Sequence, residues 1–222
     1  MKQLLVAVIT MFTVWACNGQ DNNKVQTKQD PVKSDQTNVE QTGTNQAQTE
    51  TFKLGENEMA VAVIKTNMGT IEVQLNSSKA PITVDNFVKY VNSGFYDGLI
   101  FHRVISNFMI QGGGFTPDGN QKTTNAPIAL ESNNGLNNEV GTIAMARTNV
   151  PNSATSQFFI NVADNSSLNY APGNPGYAVF GNVISGMDIV YAISKVATSK
   201  PGDKPLKDVV MESVTIEKRA VK

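Results

Sequence analysis

The stretch Phe101-His102-Arg103-Val104-Ile105-Ser106-Asn107-Phe108-Met109-Ile110-Gln111-Gly112-Gly113-Gly114-Phe115 decides how the chain is read. Two short β-prone runs flank Ser106-Asn107, a pair suited to a tight turn. Side chains alternate across a strand, so Leu99, Phe101, Arg103 and Ile105 are expected on one face. A cation in an apolar row is costly unless it has a partner or a task. Around Arg103 stand Phe101, Phe108 and Met109, with one neutral amide, Gln111. No acid, nucleophile or metal-ligand set accompanies them. Such a group is ill suited to hydrolysis and well suited to gripping an apolar moiety beside one fixed charge. It calls for no cofactor and no metal.

Outward from this stretch, short β runs alternate with polar loops. Residues 61–66 and 71–75 flank a turn at 67–70 and predict an opening hairpin. Pro81 suits the first turn of a helix, and Val84, Phe87, Val88 and Val91 recur at helical spacing until Gly94. Further strands are expected at 99–105, 108–112, 128–131, 141–146, 156–162, 177–183 and 209–217, and a second helix over 189–196. Polar loops fill 113–127 and 164–176. This pattern of short strands and two helices predicts a mainly β domain, with the sheet closed into an antiparallel barrel, since closure removes exposed edges.

Four segments stand in a telling order: FHRVISNFMIQGGGF (101–115), GTIAMAR (141–147), NSATSQFFI (152–160) and YAVFGNVISGMD (177–188). Together they resemble the cyclophilin-type peptidyl-prolyl isomerases, and most of all their bacterial periplasmic members. The resemblance implies a closed eight-stranded antiparallel barrel with a helix capping each end and a site on its outer surface. It implies isomerisation of X-Pro bonds, with Arg103, Phe108 and Gln111 as catalytic residues. Met109, Ala146, Arg147, Phe159, Leu168 and Tyr177 are then substrate-binding, Arg147 through its main chain. Tyr177 stands where many members have histidine, and Ser167 where some have tryptophan. The implied partners are proline-containing polypeptides, unfolded or exported, and the implied state is a monomer. A second reading stays open: a module that binds proline segments without turning them over.

Other features have plainer readings. The Gly112–Gly114 run is no phosphate cradle, because no Lys-Ser/Thr follows and no helix begins there. It marks a bend or a close backbone approach. His102, the only histidine, is open to two readings, a general base or a structural ring. Its parity places it opposite Arg103.

The N-terminal part is a different material. Lys2 precedes an apolar run from Leu4 to Ala16, too short to span a bilayer and fitting for a secretory signal. Val14-Trp15-Ala16-Cys17 resembles a bacterial lipobox, which would make Cys17 the lipid-modified new N-terminus and tie the chain to a membrane. An ordinary signal peptide with an incidental cysteine is the alternative. Cys17 is the only cysteine, so an intrachain disulfide is excluded. Residues 18–57 are rich in Gln, Asn, Thr, Asp and Lys without apolar period, the composition of a disordered tether. The expected organisation is signal segment 1–17, polar linker 18–57 and isomerase-like domain 58–222. The net charge is −1, which gives no electrostatic case for nucleic acid.

Overall fold

The computed structural model describes residues 52–221. The chain divides into two units, 1–47 and 48–222, and the described residues belong to the second. The expected signal segment, Cys17 and linker residues 18–51 lie outside the described residues.

Eight strands and two helices follow in the order β1 (Glu58–Thr66), β2 (Gly69–Leu75), α1 (Pro81–Asn92), β3 (Phe101–Ile105), β4 (Met109–Gly112), β5 (Thr142–Met145), β6 (Phe158–Asn161), β7 (Val179–Ser185), α2 (Met187–Ser194) and β8 (Met211–Ala220). All ladders are antiparallel, in the spatial order β3-β4-β6-β5-β7-β2-β1-β8. The sheet is mainly apolar on its concave face, where Phe87, Tyr96, Phe101, Phe158 and Phe180 pack with the aliphatic residues of the strands.

The expected closed barrel is corrected here: the sheet is a curled, open half-barrel with β3 and β8 as its edges. Near those edges the chain is linked by an isolated bridge, Ile100 with Val210, and by backbone bonds that join Met211 to Gly98 and Leu99 (both 2.8 Å), not by a continuous ladder between β3 and β8. The reason lies in what covers β3. The Phe101 N–H donates to the Val209 carbonyl (2.9 Å) and the Val104 N–H to the Asp203 carbonyl (2.8 Å). The segment before β8 thus takes the outer edge of β3, while β8 itself pairs along its length with β1. Covering an edge with a loop protects it as closure would.

Residues 128–131, expected as a strand, form only an isolated bridge between Ile128 and Ala154. Their segment serves α1 instead. Ala80, the residue before that helix, offers no side-chain cap. Glu131 supplies one from a distance, its carboxylate accepting from the N–H groups of Ile82 (3.0 Å) and Thr83 (2.8 Å) and from the Thr83 hydroxyl (2.7 Å). The first N–H groups of a helix lack internal partners, so a carboxylate there satisfies both hydrogen bonding and the helix dipole. At the other end of the described chain, Phe52 and Leu54 pack against the core, and the Phe52 N–H donates to Asp85 (3.2 Å).

Candidate active site on the convex face

The convex face carries a second, smaller apolar cluster: Met109, Ala144, Phe159 and Val179, bordered by Ile105, Phe108, Leu136, Ala146, Leu168 and Tyr177. Register explains its position. Arg103 lies opposite Gln111, Gln111 opposite Phe159, Phe159 opposite Ala144, and Ala144 opposite Val179. Directly opposed residues on neighbouring strands share a face, so this row crosses five strands on the convex side. The adjacent row, Val104, Ile110, Ile160 and Ile143, points into the core. The same alternation sends Phe158 into the core and Phe159 to the outer cluster.

One expectation about this face is corrected. Leu99 and Phe101 were expected beside Arg103 and Ile105, yet both are fully buried in the main core. The β3–β4 register shifts between Phe101 and Arg103. An irregularity of this kind reverses which face the following side chains take. It is what allows Phe101 to anchor the core two positions before a cation that faces out.

A cavity of about 270 Å³ sits over the outer cluster. Arg103, Phe108, Gln111 and Phe159 line it, and Met109, Ala146, Arg147, Leu168 and Tyr177 complete it. All the catalytic and substrate-binding positions expected from the sequence meet in this one place. The turn at Ser106-Asn107, with Asn107 in the left-handed region (φ 57°), brings Phe108 back over the cavity beside Arg103. Phe159 and Tyr177 meet edge to face, their ring centroids 5.6 Å apart. The guanidinium of Arg147 lies over the Tyr177 ring, 4.6 Å from its centroid.

The walls that come from loops are held by amides. Asn161, Asn138 and Asn165 are buried and joined: Asn165 donates to the Asn161 side chain (2.6 Å), and Asn161 to that of Asn138 (3.2 Å). The chain ends on the backbone of both walls. Asn165 also donates to the Phe108 carbonyl (2.8 Å), and Asn138 to the Leu168 carbonyl (3.1 Å). Buried amides so satisfied fix one geometry, because any slip leaves a polar group unpaired.

Gln111 is held as well. Its amide nitrogen donates to the side-chain oxygen of Gln157 (2.9 Å), leaving its own oxygen and one N–H for another partner. Sequence reasoning missed Gln157, although it shares strand parity with Phe159 and was findable on that ground. Gly114 leaves room for it: a Cβ there would lie 2.7 Å from the Gln157 side chain. Leu136 was missed too, and its long loop carries no pattern that marks it.

His102 is not among the residues lining the cavity. Its ring packs on Phe115 at 4.7 Å, and its Nδ1 is buried with no hydrogen-bond partner. Burial, reinforced by the neighbouring Arg103 charge, pushes its pKa down to about 4. It is a neutral packing ring. Among the described residues no cluster of three or more His, Cys, Asp or Glu side chains is placed to hold a metal.

The outer surface of the half-barrel thus presents an apolar seat bordered by two arginines, Arg103 and Arg147, and one tethered amide, Gln111. Over residues 61–216 the chain matches the family model described as cyclophilin type peptidyl-prolyl cis-trans isomerase/CLD, and it belongs to that family of isomerases. It is 57% identical over 164 residues to peptidyl-prolyl cis-trans isomerase cyp18 of Streptomyces antibioticus, covering 71% of this chain and 99% of that protein. Identity to peptidyl-prolyl cis-trans isomerase B of Escherichia coli (strain K12) is 54% over 157 residues, covering 68% and 96%. A crystal structure of a cyclophilin type peptidyl-prolyl cis-trans isomerase of Cryptosporidium parvum superposes with a TM-score of 0.61 at 27% identity, covering 72% of this chain and 98% of that one.

Proposed function

We propose that this isomerase works by seating a proline ring on Phe108, Met109, Phe159 and Leu168 while Arg103 stabilises the twisted amide. Rotation about X-Pro is opposed by lost resonance, a barrier of about 18–20 kcal/mol that makes the unaided step take tens of seconds. As the bond twists, the prolyl nitrogen recovers its lone pair and becomes an acceptor. A guanidinium aimed at it interacts with the twisted form more strongly than with either planar one, and only such a difference lowers a barrier. Gln111 holds a substrate carbonyl so that the ring and the rest of the peptide cannot turn together. The Ala146–Arg147 main chain binds the peptide backbone, and Tyr177 closes the seat.

The observation that carries this reading is the cross-strand row. Arg103, Gln111 and Phe159 lie opposite one another on three neighbouring strands, so charge, amide and ring wall are fixed on one rigid surface. Arg103→Ala is expected to keep the fold and to lower turnover of a proline peptide about a hundredfold or more, the scale of losing one electrostatic donor. Arg103→Lys is not expected to restore it, because an ammonium lacks the planar fork. An alanine variant with near wild-type turnover sinks the mechanism.

The setting we propose is the cell envelope. An N-terminal export signal ending in a lipobox-like Cys17, followed by a polar tether, suits a monomeric enzyme held to a membrane and acting on exported chains. The clients are then proline-containing polypeptides still folding after export.

A further inference from the structure

Arg147 stands between two cavities. It lines the one over the proline seat and a second of about 210 Å³ that shares Gln111 and Ala146 with the first. The second is otherwise walled by amides and hydroxyls, among them Gln121, Gln157, Thr148 and Ser153. Neither cavity is lined by an acidic side chain. None of the ion pairs among the described residues takes Arg103 or Arg147. The groove therefore carries two cations without counter-charge, on a protein whose net charge is −1.

Arg147 is fixed without being neutralised. Its Nε donates to the Gly176 carbonyl (2.8 Å) and its Nη1 to the Thr148 carbonyl (2.8 Å), while its face lies on Tyr177 at 4.6 Å. A guanidinium has five N–H donors, and these bonds leave the Nη2 pair free. Ordering a long side chain costs entropy on binding, and here that ordering is already present. An incoming anion meets a cation held in place.

We propose that Arg147 makes the groove select prolines flanked by an acidic residue, aspartate or glutamate. The proposal rests on the reading of the first cavity as the proline seat. An extended peptide advances about 3.3 Å per residue, so the neighbours of a seated proline pass the charge that borders the same seat. A carboxylate there finds the free Nη2 donors and the amides of the second cavity. A lysine finds two guanidinium groups and no acid. The pair stays partly hydrated, so the discrimination is modest, as for exposed ion pairs generally.

The test uses the full chain and short proline peptides with Glu, Gln or Lys directly before proline, and a matching set with the same residues directly after it. The expected order of kcat/KM is Glu, then Gln, then Lys in at least one set, spanning about tenfold, and shrinking toward parity in 1 M salt as screening shortens the reach of charge. Arg147→Gln is expected to cut the Glu-to-Lys ratio to about threefold or less whatever its absolute rate, the remainder belonging to Arg103. Arg147→Lys keeps the preference, which separates charge from packing. Lys65→Gln, on an exposed position outside both cavities, leaves the ratio unchanged. Equal rates on every peptide by an active protein overturn the charge selection and leave the isomerase reading intact. Failure to accelerate any peptide overturns the proline seat itself, and an unaltered ratio in Arg147→Gln removes the assignment to that residue.

Discussion

At the residue scale, the pair His102 and Arg103 shows how adjacent side chains acquire opposite tasks. The register shift in β3 turns Arg103 outward, and His102 packs on Phe115 with its Nδ1 unpartnered. Two pH effects follow and they differ. Turnover is expected to be nearly flat from about pH 6 to 8, because no proton moves in the proposed step and a guanidinium stays charged throughout. A sharp loss of rate near pH 6.5 would instead put the imidazole in the mechanism. Stability behaves otherwise. The folded-state pKa is depressed to about 4 from 6.5, so the unfolded chain takes up a proton that the folded one refuses. Stability is thus fully present above about pH 6.5 and falls through the window down to pH 4, by on the order of 3 kcal/mol. Glu72 and Asp118 have carboxyls held below their ordinary values by Arg219 and by Thr116 respectively, and their losses begin lower in pH. With a single histidine in the chain, urea midpoints at pH 7 and pH 4.5 isolate its share. His102→Gln is expected to flatten most of that difference, and an unchanged slope would refute the assignment.

At the scale of elements, α1 and the cavity walls both depend on partners far away in sequence. Glu131→Ala removes an acceptor for three donors at the start of α1. The expected loss is about 2 kcal/mol, at the upper end for a cap, read as a lower denaturant midpoint with an unchanged slope. Glu131→Gln keeps one acceptor oxygen and is expected to lose roughly half as much; equal midpoints for all three proteins would show that Ala80 and water serve the helix as well. These dependencies also explain what the sequence could and could not tell. The alternation in Phe108–Gln111 and Gln157–Ile160 is legible because a strand's period has only two phases; it puts Phe158 and Phe159 on opposite faces, and the family resemblance is what assigns Phe159 to the outside. The shift between Phe101 and Arg103 leaves no local signature, so parity misplaced Leu99 and Phe101. Glu131 sits in a segment that reads as β-prone, and nothing nearby reveals that its carboxylate caps a helix 48 residues before it. The amides that fix Phe108 and Leu168 look, in sequence, like ordinary polar loop residues. Resemblance supplied the position of Arg147; its side chain's bonds to Gly176 and Thr148 are a matter of tertiary geometry alone.

At the scale of the whole molecule, the open half-barrel gives its concave face to the core, and its convex face carries the cavity lined by Arg103, Gln111 and Phe159. The N-terminal segment is where the remaining predictions lie. The polar segment expected over residues 18–57 reaches into the described residues. Its far end is bound into the domain: Phe52 and Leu54 pack on the core, and Lys218 donates to the Lys53 carbonyl (2.7 Å). The last six residues of the polar segment are therefore part of what must fold. A fragment beginning at residue 58 is expected to be less stable than one beginning at 52 by about 1–3 kcal/mol, the scale of losing one or two partly buried apolar side chains, while turning over proline peptides at the same rate when folded. The anchor is tested separately. Cys17→Ser in the full chain is expected to abolish lipid labelling and to move the protein from the membrane to the soluble fraction, with activity on short peptides unchanged. A wild-type protein recovered soluble and without an acyl group would remove the lipid anchor from the proposal, since Trp15 stands where a lipobox ordinarily has a small residue, and would leave residues 18–51 as the polar start of a freely diffusing enzyme.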